Sequence, residues 1–513
     1  MKVSGSSSEA QIGQRRVGAH STHESRQPTL DIAWTAVYVM AIGVSISLWF
    51  IALRSPLWLD ETISFWQINN NLSGVSARQG LSFAAYSYIL WFCTKILGTS
   101  ELALRIPSIL AMLGSVCLLY LAARRLFSRD IAIVAVIIFC LHPLVVFASI
   151  DVRAYAFGAL AVNASILSMA RLRYNNSNWS AVWFGVLAAT IVYFQFLFIV
   201  ILPVLIAYFL TNEFASPRIF RRQLSCALAG FSLAFLPVVP GLRYMFRTAS
   251  VHVFDDAPGL TDLLETLAPR GVLFALVGTT LVAVIVVATT RKVNRHVMIE
   301  RRSIFLCAAL ALSPILILYG VSVGTSIHVF VPRYRLIAVP GIALCWALAL
   351  SWFDRPMRML FCVGVLAITA YFQISSPFSG QHGYTWKYAL VAVEKNASAD
   401  SAPVLICSDL PESDHLDAPL VSAQDSTYFA PLTYYKLSVP VVPLPRSLNN
   451  DAIQVGSRFL EDASKRHQRF LAMAFTPSYK TLAWLAQHAS GAYDVRILGV
   501  FDDVKVLEFV PRT

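Results

Sequence analysis

The chain has 513 residues, of which 57% are hydrophobic and only 14% carry a charged side chain. This composition excludes an ordinary soluble domain and indicates a bundle of membrane-spanning helices. The formal net charge of +12 comes from Lys and Arg residues that fall in short clusters between apolar runs. Such clusters set the orientation of membrane proteins, so they do not indicate a nucleic-acid partner. The sequence therefore predicts a polytopic membrane protein.

The amino-terminal segment 1–29 is rich in Ser, Gln, Gly and Arg and is predicted to be a disordered cytoplasmic tail. The first apolar run, Ile32–Leu53, is longer than the roughly 7 to 15 residues in the core of a cleaved signal peptide, so we expect it to remain as the first span. The eight cysteines are scattered through mostly apolar segments. Their spacing indicates neither a disulfide framework nor a metal site.

Apolar runs long enough to cross a membrane follow one another through most of the chain. Together with the first run they make about eleven predicted spans, which form one module over residues 30–374. The later spans are predicted at Leu102–Ala122, Ile131–Ile150, Ala154–Ala170, Ala181–Phe194, Phe196–Thr211, Leu224–Gly241, Gly271–Thr289, Ser303–Val323, Leu336–Trp352 and Met359–Ile374.

The orientation of the bundle follows from the positions of Lys and Arg. These residues are more numerous in the connections on the side of the N-terminal tail than in the opposite ones, which predicts a cytoplasmic N-terminus. On this assignment residues 60–101 form one outer loop. Its segment Leu81–Leu97 is apolar, but a span there would reverse every later loop against the charge bias. We therefore predict interfacial helices in this loop, with tryptophans at the headgroup level.

After the last predicted span, long apolar runs give way to short ones. Ala402–Asp409 and Arg469–Phe475 are typical of strands, Tyr479–Ser490 of a helix and Val495–Val510 of a hairpin. We therefore predict a small soluble α/β domain at residues 375–513, on the outer side of the membrane.

Four polar segments fall on the predicted outer face. Acidic side chains near a bilayer cost roughly 2 to 4 kcal/mol on insertion scales, so they are functional candidates. Arginine can hold the anionic oxygens of a lipid phosphate, and a carboxylate can accept the proton of an incoming hydroxyl in an inverting displacement. Acid and arginine at one face therefore indicate chemistry on a charged lipid. The segments are Asp60–Glu61, Asp151–Tyr155, His252–Asp256 and His328–Arg335.

Five motifs lie along the bundle, at Leu57–Glu61, Gly98–Ser108, Leu119–Phe127, Ser149–Tyr155 and Pro332–Pro340. Together they resemble the membrane glycosyltransferases of the GT-C superfamily, family 39 type. That group includes protein O-mannosyltransferases, the aminoarabinose transferase of lipid A and rhizobial galacturonosyltransferases. The resemblance runs from about residue 30 to residue 374 and implies a polytopic α-helical fold of the GT-C type. In one departure, residues 81–88 lack the His-Pro-Pro-x-Tyr-like segment of many members.

The resemblance also implies roles for individual residues. Asp60 is the expected general base, and Glu61 is expected beside it as a second catalytic acid. Binding of the donor phosphate is expected from Arg153, Arg333 and Tyr334. Supporting roles are expected from Asp151, Tyr155 and Arg105. Because the family generally does not depend on a catalytic metal, neither a metal nor a cofactor is expected.

The same residues also fit structural roles. Asp60 and Glu61 fit the first turn of an interfacial helix, where the helix dipole favours acids. Asp151 fits an ion pair with Arg153 that ties two helix ends together. Arg105, at the outer start of a span, is typical of an arginine that snorkels to the membrane surface. The arginines of the late outer loop fit ordinary interface anchors.

The residues and the resemblance together predict a multi-pass glycosyltransferase of the inner (plasma) membrane with an extracytoplasmic C-terminal domain. Its predicted reaction moves a sugar from a polyprenyl-phosphate donor to a lipid, glycan or protein acceptor, with inversion. A transporter or flippase is one alternative, although charges gathered at one face and the lack of an evident internal repeat are not typical of that class. A non-catalytic scaffold of polysaccharide assembly is the other.

Overall fold

The computed structural model describes residues 28–70, 73, 84–172, 177–211, 216–248, 257–269, 272–275, 277–278, 301–375, 386–397, 403–410, 413–414 and 427–512. The predicted N-terminal tail lies outside these residues except for its last two positions. The loop His252–Asp256 and most of the predicted span Gly271–Thr289 also lie outside them.

The part of the chain before residue 376 is a helical bundle. Among its described residues, seven helices are long and apolar enough to cross a membrane, or eight if one bent pair counts as a span. The predicted number of about eleven spans is therefore not confirmed. Short 3-10 helices at Leu48–Arg54, Phe196–Ile201, Leu236–Val238 and Leu336–Ala338 join some of the α-helices. The α-helices are α1 (Pro28–Ser47), α2 (Leu59–Asn70), α3 (Ala85–Leu97), α4 (Glu101–Leu126), α5 (Arg129–Leu141), α6 (Pro143–Ile150), α7 (Tyr155–Leu172), α8 (Asn178–Phe194), α9 (Leu202–Leu210), α10 (Pro217–Phe235), α11 (Val239–Thr248), α12 (Leu260–Leu267), α13 (Arg301–Gly324), α14 (Pro332–Arg335), α15 (Val339–Leu350) and α16 (Arg355–Ser375).

Two helices with described bounds lie between the first and second candidate spans, where interfacial helices are predicted. α2 has 12 residues and α3 has 13. At about 1.5 Å per residue, both are too short to cross a hydrocarbon core of roughly 30 Å. The apolar segment Leu81–Leu97 therefore does not contain a further complete span in its described part.

The predicted span Ile131–Ile150 is a bent pair of helices, with an angle of 66° between α5 and α6. Pro143 begins α6, and proline has no amide hydrogen with which to continue the bonding of α5. The backbone amide of Leu144 donates to Nδ1 of His142 at 3.2 Å, which caps the new helix. α6 then ends directly before Asp151.

α4 and α7 pack along each other and bring two of the sequence motifs together. Inside the bundle, the amide of Asn163 on α7 donates to the backbone oxygen and the hydroxyl of Ser115 on α4, at 3.1 and 2.8 Å. Such interhelical bonds stabilise helix pairs in membranes. At the end nearest α2, the hydroxyl of Ser108 on α4 donates to the backbone oxygen of Asp151 at 2.6 Å. The residues before α7 are therefore held against the first turns of α4.

The C-terminal part contains a mixed sheet with the strand order β2-β1-β3-β5-β4. β1 pairs in parallel with β2 and β3, whereas β3 with β5 and β5 with β4 are antiparallel. The strands are β1 (Val404–Cys407), β2 (Val441–Leu444), β3 (Phe470–Phe475), β4 (Tyr493–Phe501) and β5 (Val504–Pro511). The helices are α17 (Trp386–Asn396), α18 (Ala430–Tyr435), α19 (Asn450–Lys465) and α20 (Tyr479–Ala489), with 3-10 turns at Thr427–Phe429 and Thr476–Ser478. The small α/β fold predicted from the sequence is confirmed.

Helices cover both faces of this sheet. α17 packs on one face, where Trp386 lies against Phe475 with ring centroids 4.6 Å apart. α19 and α20 cover the other face, where Phe459 and Leu485 join the second core. Because β1, β2 and β3 are parallel, their carboxyl ends lie at one edge of the sheet, and this edge carries Ser408 and Asp409 directly after β1.

Candidate active site

Asp60 and Glu61 lie in the first turn of α2, where the helix dipole favours acidic side chains. The backbone amide of Trp58, just before the helix, donates to Oε2 of Glu61 at 3.2 Å. The two carboxylates nevertheless lie in different environments. The side chain of Glu61 is fully buried, whereas that of Asp60 keeps 15% of its surface exposed. Neighbours in sequence, they contact different parts of the site.

Glu61 is paired with Arg105 of α4, and both side chains are 0% exposed. Nε and Nη2 of Arg105 donate to the two carboxylate oxygens at 3.2 and 2.9 Å. The backbone amide of Val152 donates to Oε1 of Glu61 at 3.0 Å. A buried carboxylate with this many donors is well compensated for its loss of water. Glu61 thus ties α2, α4 and the segment before α7 together.

The remaining donors of Arg105 hold the chain that leads into α2. Its Nη1 donates to the backbone oxygens of Leu53 and Ser55 at 2.9 and 2.8 Å, and its Nη2 donates to that of Pro56 at 3.3 Å. The interpretation of Arg105 as a snorkelling residue was wrong. The guanidinium turns inward because a row of free carbonyl groups and a carboxylate lies there.

Asp60 lies between two arginines that come from distant parts of the chain. Nη1 of Arg333, at the start of α14, donates to Oδ2 of Asp60 at 3.2 Å. Nη2 of Arg153 lies 3.9 Å from the same oxygen, and its Nη1 donates to the backbone oxygen of Asp60 at 3.3 Å. Both arginine side chains are about one third exposed, at 31% and 28%. One partly exposed carboxylate and two partly exposed guanidinium groups therefore lie next to one another.

Asp151 is fully buried and does not take part in this pairing. Its Oδ1 accepts a hydrogen bond from Nε1 of Trp58 at 3.1 Å, while its Oδ2 has no partner among the described residues. Burial, followed by the charge of Glu61, raises the pKa of Asp151 well above its ordinary value. The ion pair of Asp151 with Arg153 that the sequence allowed is absent from the described contacts, because Arg153 turns to Asp60 instead.

Tyr155 and Tyr334 line the same region. Tyr155 is buried at the start of α7, and its ring lies 6.5 Å from that of Tyr334 at an angle of 65°. The guanidinium of Arg333 lies 5.5 Å from the ring of Tyr334, within the range of a cation–π contact. Arg335 turns away and donates to the backbone oxygen of Asp262 and the hydroxyl of Thr266, at 3.0 and 2.6 Å. The two arginines beside Tyr334 thus have different partners.

Tyr86 of α3 also reaches this region, although its segment departs from the family motif. The side chain is buried, and its ring lies 5.7 Å from that of Phe157 at an angle of 64°. Burial, and then the charge of Asp151, raise the pKa of Tyr86 well above its ordinary value. The hydroxyl is therefore protonated at neutral pH.

The C-terminal domain docks on the segment that leads into α2, just before the acidic pair. The hydroxyl of Tyr435, at the end of α18, accepts the backbone amide of Leu57 at 2.7 Å. It also lies within donating distance of the Leu57 carbonyl and of Oε1 of Glu101, at 3.3 and 3.2 Å. Lys387 of α17 pairs with the same Glu101 oxygen at 3.0 Å. None of these contacts is evident from the sequence, because Tyr435 and Leu57 are 378 residues apart.

A second tyrosine extends this docking surface. The hydroxyl of Tyr434 donates to the backbone oxygen of Thr99 at 3.0 Å, just before α4. Its ring stands edge-on to Phe65 of α2, with centroids 5.0 Å apart. The dipeptide Tyr434–Tyr435 therefore contacts the chain on both sides of α3. Among the described residues, no group of three or more His, Cys, Asp or Glu side chains is arranged to hold a metal ion.

Comparison with known proteins places this arrangement in a known fold. A family model described as dolichyl-phosphate-mannose-protein mannosyltransferase matches residues 84–244. A search of curated proteins gave no match. The crystal structure of ArnT from Cupriavidus metallidurans bound to undecaprenyl phosphate aligns with a TM-score of 0.54 and 12% identity, over 92% of this chain and 98% of the ArnT chain. The chain has the GT-C fold.

Other GT-C structures give related alignments. ArnT in the apo state has a TM-score of 0.54 and 12% identity, over 94% of this chain and 98% of that chain. The Archaeoglobus fulgidus oligosaccharyltransferase in the apo form has a TM-score of 0.44 and 12% identity, over 90% of this chain and 73% of that chain. The GT-C fold and the family match together support membrane glycosyltransferase activity.

Proposed function

We propose that this GT-C protein moves a sugar from a polyprenyl-phosphate carrier to the hydroxyl of an acceptor, with inversion at the anomeric carbon. Asp60 is the general base, and Arg333 and Arg153 hold the donor phosphate. The observation that carries this proposal is that two partly exposed guanidinium groups lie within 3.9 Å of one partly exposed carboxylate. The similar ArnT structure is bound to undecaprenyl phosphate, and we propose the same chemical class of lipid for this chain.

The reaction has a simple balance of bonds. The acceptor oxygen forms a bond to the anomeric carbon while its proton passes to the carboxylate of Asp60. The bond between the anomeric carbon and the phosphate oxygen breaks, and the lipid phosphate leaves with the electron pair. Arginine stabilises this leaving group through charge-assisted hydrogen bonds to its anionic oxygens. No further reactant is required.

In the absence of donor, Arg333 and Arg153 are paired with the carboxylate of Asp60. A donor phosphate competes with Asp60 for Arg333, whose Nε has no partner among the described residues. When the guanidinium turns to the phosphate, the carboxylate of Asp60 loses this hydrogen bond and can accept one from the hydroxyl of the acceptor. Donor binding thereby activates the base at the moment when a sugar is present.

The neighbouring residues have supporting roles in this proposal. Glu61 is assigned to positioning, together with Arg105, because all its carboxylate oxygens already accept hydrogen bonds. Tyr334 packs against Arg333 and orients its guanidinium. Asp151 and Tyr155 line the region beside Arg153. The reaction takes place at the extracytoplasmic face of a plasma membrane, with the N-terminus in the cytoplasm and the C-terminal domain outside.

The test compares envelope glycolipids, glycans and glycoproteins by mass spectrometry in cells that carry the wild-type protein or Asp60→Asn. We expect one sugar to disappear from one acceptor class while the membrane level of the protein is unchanged. Asp354→Asn is the matched control, since Asp354 directly precedes α16 and its Oδ1 accepts the amide of Met357, away from Asp60 in the chain. Asparagine caps a helix as well as aspartate does, so this variant should keep the wild-type products.

The same experiment separates the proposal from its rivals. An unchanged envelope in the Asp60→Asn strain contradicts an enzymatic role for Asp60 and favours transport or scaffolding. Accumulation of a sugar-loaded lipid phosphate at the outer face of that strain supports transfer, because a defective flippase retains its cargo on the inner face. If the protein is a scaffold, Asp60→Asn should cause neither the loss of a sugar nor the accumulation of a sugar-loaded lipid phosphate.

A further inference from the structure

A third acidic residue lies at the carboxyl edge of the C-terminal sheet. Asp409 follows β1 and is 7% exposed. The described contacts include no hydrogen bond or ion pair to its carboxyl group. A buried carboxyl that has no partner among the described residues is costly to desolvate, so its retention needs a reason. A ligand that supplies the missing hydrogen bonds is such a reason.

Contacts between the two domains link this edge of the sheet to α2, the helix that contains Asp60. The hydroxyl of Ser408 donates to the backbone oxygen of Tyr428 at 3.1 Å, which attaches the end of β1 to the segment before α18. That segment and α18 pack on α2, whose first turn contains Asp60. At the other end of α18, Tyr435 binds Leu57. The docking that holds the segment before α2 therefore also attaches the end of β1, which Asp409 follows, to a segment that packs on α2.

The charges that face Asp409 come from both domains. They are Arg446 after β2, Asp60 of α2 and Asp503 before β5. Burial raises the pKa of Asp409 to about 7, the positive charge of Arg446 opposes this rise, and the two acids add to it. The charge of Asp60 therefore acts on Asp409 across the two domains. At neutral pH the carboxyl exists in both forms, so it can accept a hydrogen bond or donate one.

We propose that Asp409 is an acceptor-binding residue, contributed by the C-terminal domain, which holds a second hydroxyl of a carbohydrate acceptor beside the hydroxyl that Asp60 deprotonates. This inference rests on the proposed function and names its acceptor class. Two carboxyls from two domains require an acceptor that offers more than one hydroxyl in a small space. A sugar does so, whereas a Ser or Thr side chain of a protein acceptor offers a single hydroxyl, which reacts at Asp60.

A neutral polyol also fits the electrostatics better than a cation does. A hydroxyl can donate to the ionised carboxyl and accept from the protonated one, so it binds both forms. An ammonium group would bind only the ionised form and would meet Arg446 beside it. The acceptor is therefore a glycan or the sugar headgroup of a glycolipid.

The test uses the full-length protein in native membranes and in lipid nanodiscs. The acceptor probe is the glycan and glycolipid fraction extracted from cells that carry Asp60→Asn, and the donor-site probe is undecaprenyl phosphate. For Asp409→Asn we expect the apparent KM for the acceptor fraction to rise at least about tenfold. We expect kcat to fall less than about threefold and the Kd for undecaprenyl phosphate to stay within about twofold. Asp409→Glu, which keeps the acid but moves it by one methylene, should show a smaller rise in KM.

Asp462→Asn is the matched control, because Asp462 is an exposed residue of α19. An unchanged KM in Asp409→Asn, or sugar found only in the protein fraction, overturns the inference while leaving the proposed function intact. A wild-type protein that neither binds undecaprenyl phosphate nor transfers sugar overturns the proposed function and this inference with it. Since asparagine has the shape of aspartate and carries no charge to bury, the variant is expected to fold.

Discussion

The guanidinium of Arg105 and the carboxylate of Glu61 form a two-point hydrogen-bonded pair in which neither side chain is exposed at all. Arg105 also binds three carbonyl groups of the chain that leads into α2. The position of Asp60, one residue before Glu61, is therefore set from inside the protein. A change at either partner should disturb the site without touching a substrate.

Loss of one partner of this pair should be strongly destabilising. Removing one side of a buried ion pair leaves an uncompensated charge and costs about 3 to 5 kcal/mol. We expect Glu61→Ala and Arg105→Ala each to lower the melting temperature of the purified protein sharply. The double variant should lose less than the sum of the two, which a double-mutant cycle measures. Strictly additive losses would show that the two residues stabilise the protein independently.

Asp60→Asn should abolish transfer while preserving the donor site. Loss of a general base lowers the rate by roughly 10²- to 10⁴-fold. The Kd for undecaprenyl phosphate should stay the same or fall, because Arg333 and Arg153 lose their competing carboxylate. Titration of nanodisc-embedded protein with this lipid measures the effect. Weaker binding in Asp60→Asn would contradict the proposed competition between carboxylate and phosphate.

The two arginines that flank Tyr334 should respond differently to mutation. Arg333→Ala removes a proposed phosphate ligand, and a charge-assisted hydrogen bond contributes about 1.5 to 3 kcal/mol, or roughly ten- to hundredfold in Kd. Arg335→Ala is a matched control, because Arg335 binds Asp262 and Thr266 of α12 instead. It should lower stability and leave the Kd for undecaprenyl phosphate unchanged. Equal losses of affinity in both variants would contradict the assignment of Arg333.

Tyr435→Phe should loosen the loop before α2. The change leaves the backbone amide of Leu57 without its hydroxyl partner, at a cost of about 1 to 3 kcal/mol. We expect faster hydrogen exchange at residues 55–60 and a lower transfer rate. Tyr493→Phe removes a hydroxyl that lies within 3.2 Å of the carbonyl of Gln468 inside the C-terminal domain, so it serves as the control. Unchanged exchange in Tyr435→Phe would show that the docking contact does not order the loop.

Asp409 should make stability depend on pH. Its pKa is raised from the ordinary 3.8 to about 7, so the fold disfavours the charged form and stability is lost as pH rises through this interval. A shift of this size corresponds to at most about 4 kcal/mol. Asp409→Asn lacks this loss, and its advantage in melting temperature over wild type should grow from pH 5 to pH 8. Parallel melting curves over that range would contradict the burial of an ionisable group at this position.

The sequence was sufficient for the overall architecture, and most of the residues that it singled out lie near one another in the structure. Apolar length and charge bias predict the bundle, and short alternating patterns predict most of the C-terminal sheet. β2 was not predicted, because Pro443 interrupts its pattern; an edge strand tolerates proline, and β2 is at an edge. The break between α5 and α6 was also missed, although Pro143 signals it.

The sequence could not predict that Glu61 is buried and paired with Arg105 whereas Asp60 is partly exposed. Successive residues of an α-helix differ by about 100° in direction, so one of an acidic pair points inward, and only the packing of α4 decides which one. The inward turn of Arg105 depends on free carbonyl groups in a loop about 50 residues earlier in the chain. The contact of Tyr435 with Leu57 depends on how two domains meet, and no local pattern encodes that.

Because the Tyr434–Tyr435 dipeptide contacts the chain both before and after α3, exchange of the C-terminal domain has a predictable consequence. A chimera that takes its C-terminal domain from a relative would inherit a new surface against residues 57 and 99–101. Unless the two tyrosines and Lys387 were transplanted into the incoming domain, such a hybrid would misplace the segment that leads into α2 and to Asp60. Loss of activity in such a chimera would then result from a faulty interface between the two domains and would not show that the acceptor is unsuitable.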